Sequence, residues 1–418
     1  MRLRTPENQL AGQPREREWS FAFLAAVAGF SIAVAMLAWG VIPLLKIVAD
    51  PTWGMDYQVY LRAAKEIWSQ SLYEDRPTLP FRYPPIAAVL FVPLRLVSES
   101  LGHNLVNVLS VAATVVVVHS VLGWYRVGTV RFRHTAALAI SAGLVLGTPW
   151  RTELALGQIN SILLACIIVA VTRRTDRFGW GALLGVAIAV KLAAGIVVPG
   201  ALLLRQWRLA VGAVGAFLVS VTLGFVLLPA NAAKFWLETF PRMSGGAPRS
   251  EIFSQNLSGA LPRFAFMTDT ALSALAWAAL VALAVIGLVI ALRQRDLLKV
   301  TLVLGIAGLL GQPVTWTHHW VWLGPAAVVF GIGIARASRA WPWWLCFLAV
   351  LGTILFPVGY AMPDHSLAGT GLDLGRALIA STYVLLGLAL LVLVPLCPTG
   401  PGEESTRSHV DSFSDARR

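Results

Sequence analysis

The chain is a series of long apolar runs separated by short basic clusters, and that pattern leaves few folds open to it. Of its 418 residues, 57% are hydrophobic and only 13% carry charge. An ordinary soluble domain carries about twice that charged fraction. The run from Trp19 to Ile47 is by itself long enough to cross a bilayer. The hydrocarbon offers no water to backbone N–H and C=O groups, so such runs must satisfy those groups internally, as helices. The pattern therefore predicts an all-α polytopic membrane protein.

Basic clusters at Arg126 to Arg133, Arg173 to Arg177, Arg205 to Arg208, Arg293 to Lys299 and Arg336 to Arg339 read as cytoplasmic loops. They divide the chain into about twelve crossings, over 20–48, 103–124, 135–150, 159–172, 178–190, 192–204, 209–229, 271–292, 298–313, 319–335, 341–359 and 373–396. The resulting plan has a cytoplasmic segment 1–18, one transmembrane domain 19–397 and a disordered cytoplasmic tail 398–418. The net charge of +12 falls mostly between the spans. It speaks for membrane orientation and anionic membrane lipids as partners, and not for nucleic acid. Cys166, Cys346 and Cys397 lie in or at the end of apolar runs with no CxxC spacing, which argues against a disulfide framework or a zinc site.

Two places strain this map. Phe178 to Leu204 is too short for two full crossings. It reads as a hairpin of short helices around Lys191, or one of its flanking clusters is misassigned. Arg62, Lys65, Arg76 and Arg82 fall in the first outer loop, against the positive-inside bias. Positive charge kept there points to an anionic ligand. In the same loop Tyr57, Tyr60, Leu61, Ala64 and Trp68 share one helical face, while Gln58, Arg62, Lys65 and Ser69 share the other. That predicts a helix lying in the membrane interface. A second short helix is expected from Pro85, a residue suited to a first helical position.

Asp56 stands at the start of the first of these helices. It serves either as its N-cap or as a general base, and the roles are compatible, because a helix N-terminus keeps a carboxylate ionised. His318 and His319 open a later span; adjacent positions point to different faces, so one of them is expected in a common site. They make a poor chelating pair and no metal is expected. Glu153, Gln158 and Asn160, with Arg151, form a polar turn suited to sugar hydroxyls, or an ordinary solvated turn. Lys191 stands alone in an apolar run, either snorkelling to the interface or contacting a phosphate. Gln255 and Asn256 lie in a loop rich in glycine and proline, 248–263, read as an acceptor-binding or lid loop.

These residues occur in an order that resembles a known family. A first span, an outer-loop Asp56, Leu72-Tyr73 and Phe81-Arg82-Tyr83-Pro84-Pro85 look like the polytopic lipid-linked glycosyltransferases of the GT-C superfamily. Gly157-Gln158-Ile159-Asn160, Lys191, Gln255-Asn256-Leu257-Ser258-Gly259 and Trp316-Thr317-His318-His319 narrow the resemblance. It is to actinobacterial polyprenol-phosphate-mannose-dependent alpha-(1→2) mannosyltransferases acting on phosphatidylinositol mannosides. The resemblance implies a GT-C-like bundle with its active site on the outer face of the plasma membrane. It implies a polyprenyl-phosphate mannose donor, a mannolipid acceptor and no cofactor. Asp56 would be the base. His319 or His318 would orient the acceptor or assist proton transfer. Arg62, Arg82 and Lys191 would hold the leaving phosphate, and Tyr83, Glu153, Gln158, Asn160, Gln255 and Asn256 would contact substrate. The alternatives are another prenyl-linked sugar on the same scaffold, or a lipid transporter, which would favour repeated halves and charged residues at the midplane.

Overall fold

The structure is a computed structural model that describes residues 54–74, 79–175, 177–243, 252–264, 270–356 and 372–400. The expected first span at 20–48, the segment 1–18, most of the tail and Arg76 lie outside the described residues. Within them every regular element is helical. Six positions matter for the site: α1 (Met55–Lys65), α2 (Glu99–Trp124), α3 (Thr148–Leu156), α4 (Asn160–Thr172), α5 (Arg177–Val190) and α6 (Trp207–Leu227).

Among the described residues four helices are long and apolar enough to cross a membrane: α2, α6, Thr270–Arg293 and the stretch Thr317–Arg336. The number reaches six if each of two bent pairs counts as one span. Five further apolar helices have 10–17 residues. This is a multi-pass membrane protein in which several apolar runs are broken into shorter helices. Broken backbone is tolerated at membrane depth when protein surrounds it. The faces of α6 and Thr270–Arg293 carry exposed Leu218, Val219, Val226, Leu275, Val281 and Val285, the apolar surface that lipid covers in a membrane protein.

Small residues set one close helix pair. A Cβ on Gly181 would strike the carbonyl oxygen of Leu209, one on Gly185 that of Ala213, and one on Gly212 that of Phe178. The backbones of α5 and α6 therefore run in direct contact, the packing that membrane helices use where hydrophobic burial gains nothing. α5 stops at Val190, Lys191 takes an extended conformation, and a 3-10 turn Leu192–Ile196 leads into Val197–Leu203. The expected break at Lys191 is there, with a short helix on each side.

α1 forms the expected helix. Tyr57, Tyr60, Leu61 and Ala64 are buried, as are Val59 and Ala63 on the flanks, so the apolar face packs against protein. Trp68 is 71% exposed, because the helix ends at Lys65 and the chain turns before reaching it. Pro85 does open a helix, Pro85–Phe91.

Candidate active site

The site is built on a bend. α3 and α4 meet at 118°. Gly157 sits between them at φ +71° and ψ +36°, a left-handed conformation that glycine adopts freely. The Gln158 N–H then bonds back to the Glu153 carbonyl at 2.9 Å, closing α3 in the manner of a Schellman cap. Glu153 does a second job. Its Oε1 accepts from the Ser161 N–H and its Oε2 from the Ser161 hydroxyl, both at 2.7 Å. A carboxylate from the end of one helix thus caps the start of the next. Glu153 was expected in a polar turn beside sugar hydroxyls; it is fully buried and both its oxygens are engaged.

The bend presents Gln158 and Asn160 to two different partners. Gln158 Nε2 donates to Asp56 Oδ2 at 2.8 Å, and its Oε1 accepts from the Tyr60 hydroxyl at 2.8 Å. Tyr60 and Tyr83 hydroxyls lie 3.0 Å apart. The order of donors follows. Gln158 must present N–H to an ionised carboxylate, so its oxygen faces Tyr60, so Tyr60 donates to it and Tyr83 donates to Tyr60. Burial pushes the Tyr83 phenol up to about 12 and Tyr60 well above its ordinary value. Both remain protonated donors at physiological pH. Burial also raises the Asp56 carboxyl, which the Gln158 hydrogen bond and the charge of Lys191 partly offset.

Asp56 does not cap α1. The N-cap is Gly54, at φ +71°, with no side-chain capping bond, and Asp56 lies in the first turn. Its carboxylate turns across to Gln158, which leaves Oδ1 outside that bond. Close approach holds α1 against the bend: Gly54 N–H donates to the Ala155 carbonyl at 2.6 Å. A Cβ on Gly157 would lie 2.6 Å from Tyr57 Cβ and 2.9 Å from His103 Cδ2. His103 stacks on Tyr57 with ring centroids 5.5 Å apart and bonds the Leu154 carbonyl at 2.9 Å.

On the other side of the bend, Lys191 Nζ donates to Asn160 Oδ1 at 2.7 Å. Both line a cavity of about 390 Å³ together with Gln312 and His319. Its remaining walls are mainly apolar, among them Leu163, Ile167, Ile196 and Trp322. His319 Nδ1 accepts from the Trp316 N–H at 2.8 Å. The proton of the neutral ring therefore sits on Nε2. His318 is 2% exposed, with its ring 4.4 Å from that of His319. Of the adjacent pair, His319 is the one that lines the cavity.

The structure thus brings Asp56, Tyr83, Gln158, Asn160, Lys191 and His319 into one connected region and leaves others apart. Arg62 is half-buried near the end of α1 and Arg82 is exposed; neither lines the cavity. Gln255 and Asn256 are fully buried. Gln255 Nε2 donates to the Ile252 and Ala380 carbonyls, at 2.7 and 2.8 Å. Asn256 caps Leu257–Ala260 through the Gly259 N–H at 2.7 Å and donates to the Gln312 carbonyl at 2.8 Å. The Gln255 amide nitrogen ties the loop to Ala380 and that of Asn256 ties it to the wall beside Gln312, while Gln255 Oε1 is buried without a hydrogen-bond partner. Sequence reasoning passed over Tyr60, whose position four residues after Asp56 is a same-face spacing, and His103, which carried no local signal.

Comparison with known proteins gives the family. The model of glycosyltransferase family 87 matches residues 81–313. The chain belongs to that family. A polyprenol-phosphate-mannose-dependent alpha-(1-2)-phosphatidylinositol mannoside mannosyltransferase of Mycobacterium tuberculosis is 31% identical over 337 residues, 77% of each chain. A second M. tuberculosis protein, named as the corresponding phosphatidylinositol pentamannoside mannosyltransferase, is 32% identical over 296 residues, 68% of this chain and 67% of its own. A Mycolicibacterium smegmatis mannoside mannosyltransferase is 28% identical over 350 residues, 79% of this chain and 78% of its own. No solved structure matches significantly. The family 87 match contains the bend, Lys191 and the loop at Gln255, while Asp56 and the histidines fall outside it.

Proposed function

We propose that the chain transfers mannose from polyprenyl-phosphate mannose to a hydroxyl of a phosphatidylinositol mannoside, forming an alpha-(1→2) linkage with inversion. The observation that carries this reading is the division of labour across the bend. A carboxylate with one free oxygen stands on one side, and a cation stands at the polar end of an apolar cavity on the other.

In this reading the prenyl chain lies along Leu163, Ile167 and Ile196, with the phosphate at Lys191 and Asn160. The acceptor hydroxyl gives its proton to Asp56 Oδ1 as its oxygen attacks the anomeric carbon. The bond from that carbon to the phosphate oxygen breaks, and prenyl phosphate leaves with the electron pair. Lys191 lowers the energy of the charge that develops there, and the Nε2–H of His319 donates into the same cavity. One displacement turns a beta-linked donor into an alpha-linked product. Confinement of both lipid substrates to a membrane surface contributes by proximity. Gln255 and Asn256 hold the wall, and Glu153 holds the bend.

The finer topology belongs to the same proposal: one catalytic domain over 19–397, about twelve crossings, both termini cytoplasmic and the Asp56 region on the outer face. What supports this reading of the topology is that apolar runs divide into shorter helices at Lys191 and at Gly157.

The decisive test is transfer by purified, reconstituted protein given polyprenyl-phosphate mannose and phosphatidylinositol mannosides of graded size. A mass gain of one hexose is expected with at least one acceptor, and none from Asp56→Asn. No gain from folded protein with any acceptor overturns the reading. A gain only when the donor carries arabinofuranose or glucose would keep the chemistry and replace the sugar.

A further inference from the structure

At the end of α2 remote from Asp56, roughly 30 Å along the helix from His103, basic side chains from two loops converge. Arg133 comes from the helix after α2, and Arg173, Arg174 and Arg177 from the α4–α5 connection; Arg126 and Arg131 flank them in sequence, while Arg133 and Arg177 also donate to the backbone carbonyls of Gly128 and Val171. The Arg174 guanidinium lies 4.9 Å above the Trp124 ring, and the Arg173 guanidinium 5.8 Å from that of Trp180. His119 and His134 stack with centroids 4.6 Å apart. The charges of Arg133 and Arg173 both bear on His119, whose Nε2 is buried without a hydrogen-bond partner.

Little negative charge answers this cluster. The ion pairs seen among the described residues, Arg242 with Glu238 and Arg376 with Asp373, lie in other parts of the chain. The nearby Asp296 is held elsewhere: it accepts from Trp124 Nε1 at 3.0 Å and from the Tyr125 hydroxyl at 2.9 Å, and it caps Leu297–Gly311. Together the two loops carry a single acid in sequence, Asp176, against six arginines. Arg173 and Arg174 are exposed, and so is Phe178, at 56%.

We infer that this cluster binds the headgroup of an anionic glycerophospholipid. The charge needs an anion. The setting is the end of a membrane-length helix, with two indoles at the level where amphipathic rings favour the bilayer interface, and Phe178 offers apolar surface beside the guanidiniums for an acyl chain. Basic pockets between membrane helices recognise lipid phosphates by this chemistry. The site lies far from Asp56 and stands whether or not the transferase reading does.

The test uses the full chain in neutral detergent, titrated with dioleoyl phosphatidylglycerol or dioleoyl phosphatidylcholine and read by native mass spectrometry. Retention of phosphatidylglycerol over phosphatidylcholine is expected. Arg173→Gln with Arg174→Gln should weaken it about 25-fold, at roughly a factor of five per arginine. Arg205→Gln with Arg208→Gln removes the same charge from another loop and should leave retention unchanged. Equal retention of both lipids, no loss in the first variant, or equal loss in both variants would overturn the site and leave only bulk charge. Both replaced arginines in the first variant are exposed, and a thermal melt matching the parent confirms that the variant is folded.

Discussion

Replacing Gln158 by leucine separates a positioning role from a substrate contact. Gln158 is the side chain that donates to Asp56, at 2.8 Å. A hydrogen bond to a charged group contributes about 1.5–3 kcal/mol, and one pKa unit corresponds to about 1.4 kcal/mol. Losing the donor should therefore raise the Asp56 carboxyl by about 1–2 units beyond the rise that burial already imposes. The sign is fixed: the donor favours the anion, so its loss favours the proton, and less base is present at a given pH. The acid limb of the transfer rate should move up by that amount in Gln158→Leu, and most of the rate should return well above it. Tyr60→Phe should shift the limb the same way by less, because the amide stays but loses the hydroxyl that orients it. The assay is single-turnover mannose transfer across a pH series. A loss of the same factor at every pH, with the limb unmoved, would refute the donor-chain reasoning and make Gln158 a substrate contact.

Other outcomes follow from the same geometry. Asp56→Asn should cut transfer by about 10²–10⁴ and raise the melting temperature. A carboxyl whose native pKa is raised destabilises the fold as pH climbs from the unfolded value through the native one, so the gain should vanish in acid, where Asp56 is protonated in both states. Gly157→Ala should lower stability by about 1–3 kcal/mol and reduce transfer, since its Cβ would meet Tyr57 and His103; thermal melts and rates check both. Asn256→Ala should cost about 1–2 kcal/mol through the lost cap while leaving the acceptor KM unchanged, and a large KM change would return Asn256 to the substrate side. Lys191→Met should raise the KM for the prenyl-phosphate donor far more than that for the acceptor in initial-rate measurements.

The apolar runs and basic clusters by themselves determined that the chain is helical and membrane-embedded, because lipid allows few other ways to satisfy a backbone. The break at Lys191 was legible too, since two crossings do not fit between its flanking basic clusters. Asp56, Lys191 and the Gly157-Gln158-Ile159-Asn160 stretch stood out as polar residues in apolar surroundings. Tertiary structure alone decided what each does. Asp56 and Gln158 are 102 residues apart in the chain, and nothing local says that one donates to the other. Glu153 looked like a surface acid until the 118° bend turned it onto Ser161. Gln255 and Asn256 looked like loop residues free to meet a ligand until burial turned their amide nitrogens onto backbone carbonyls. Local pattern reports which residues the membrane makes costly; only the packed chain shows which partners offset that cost.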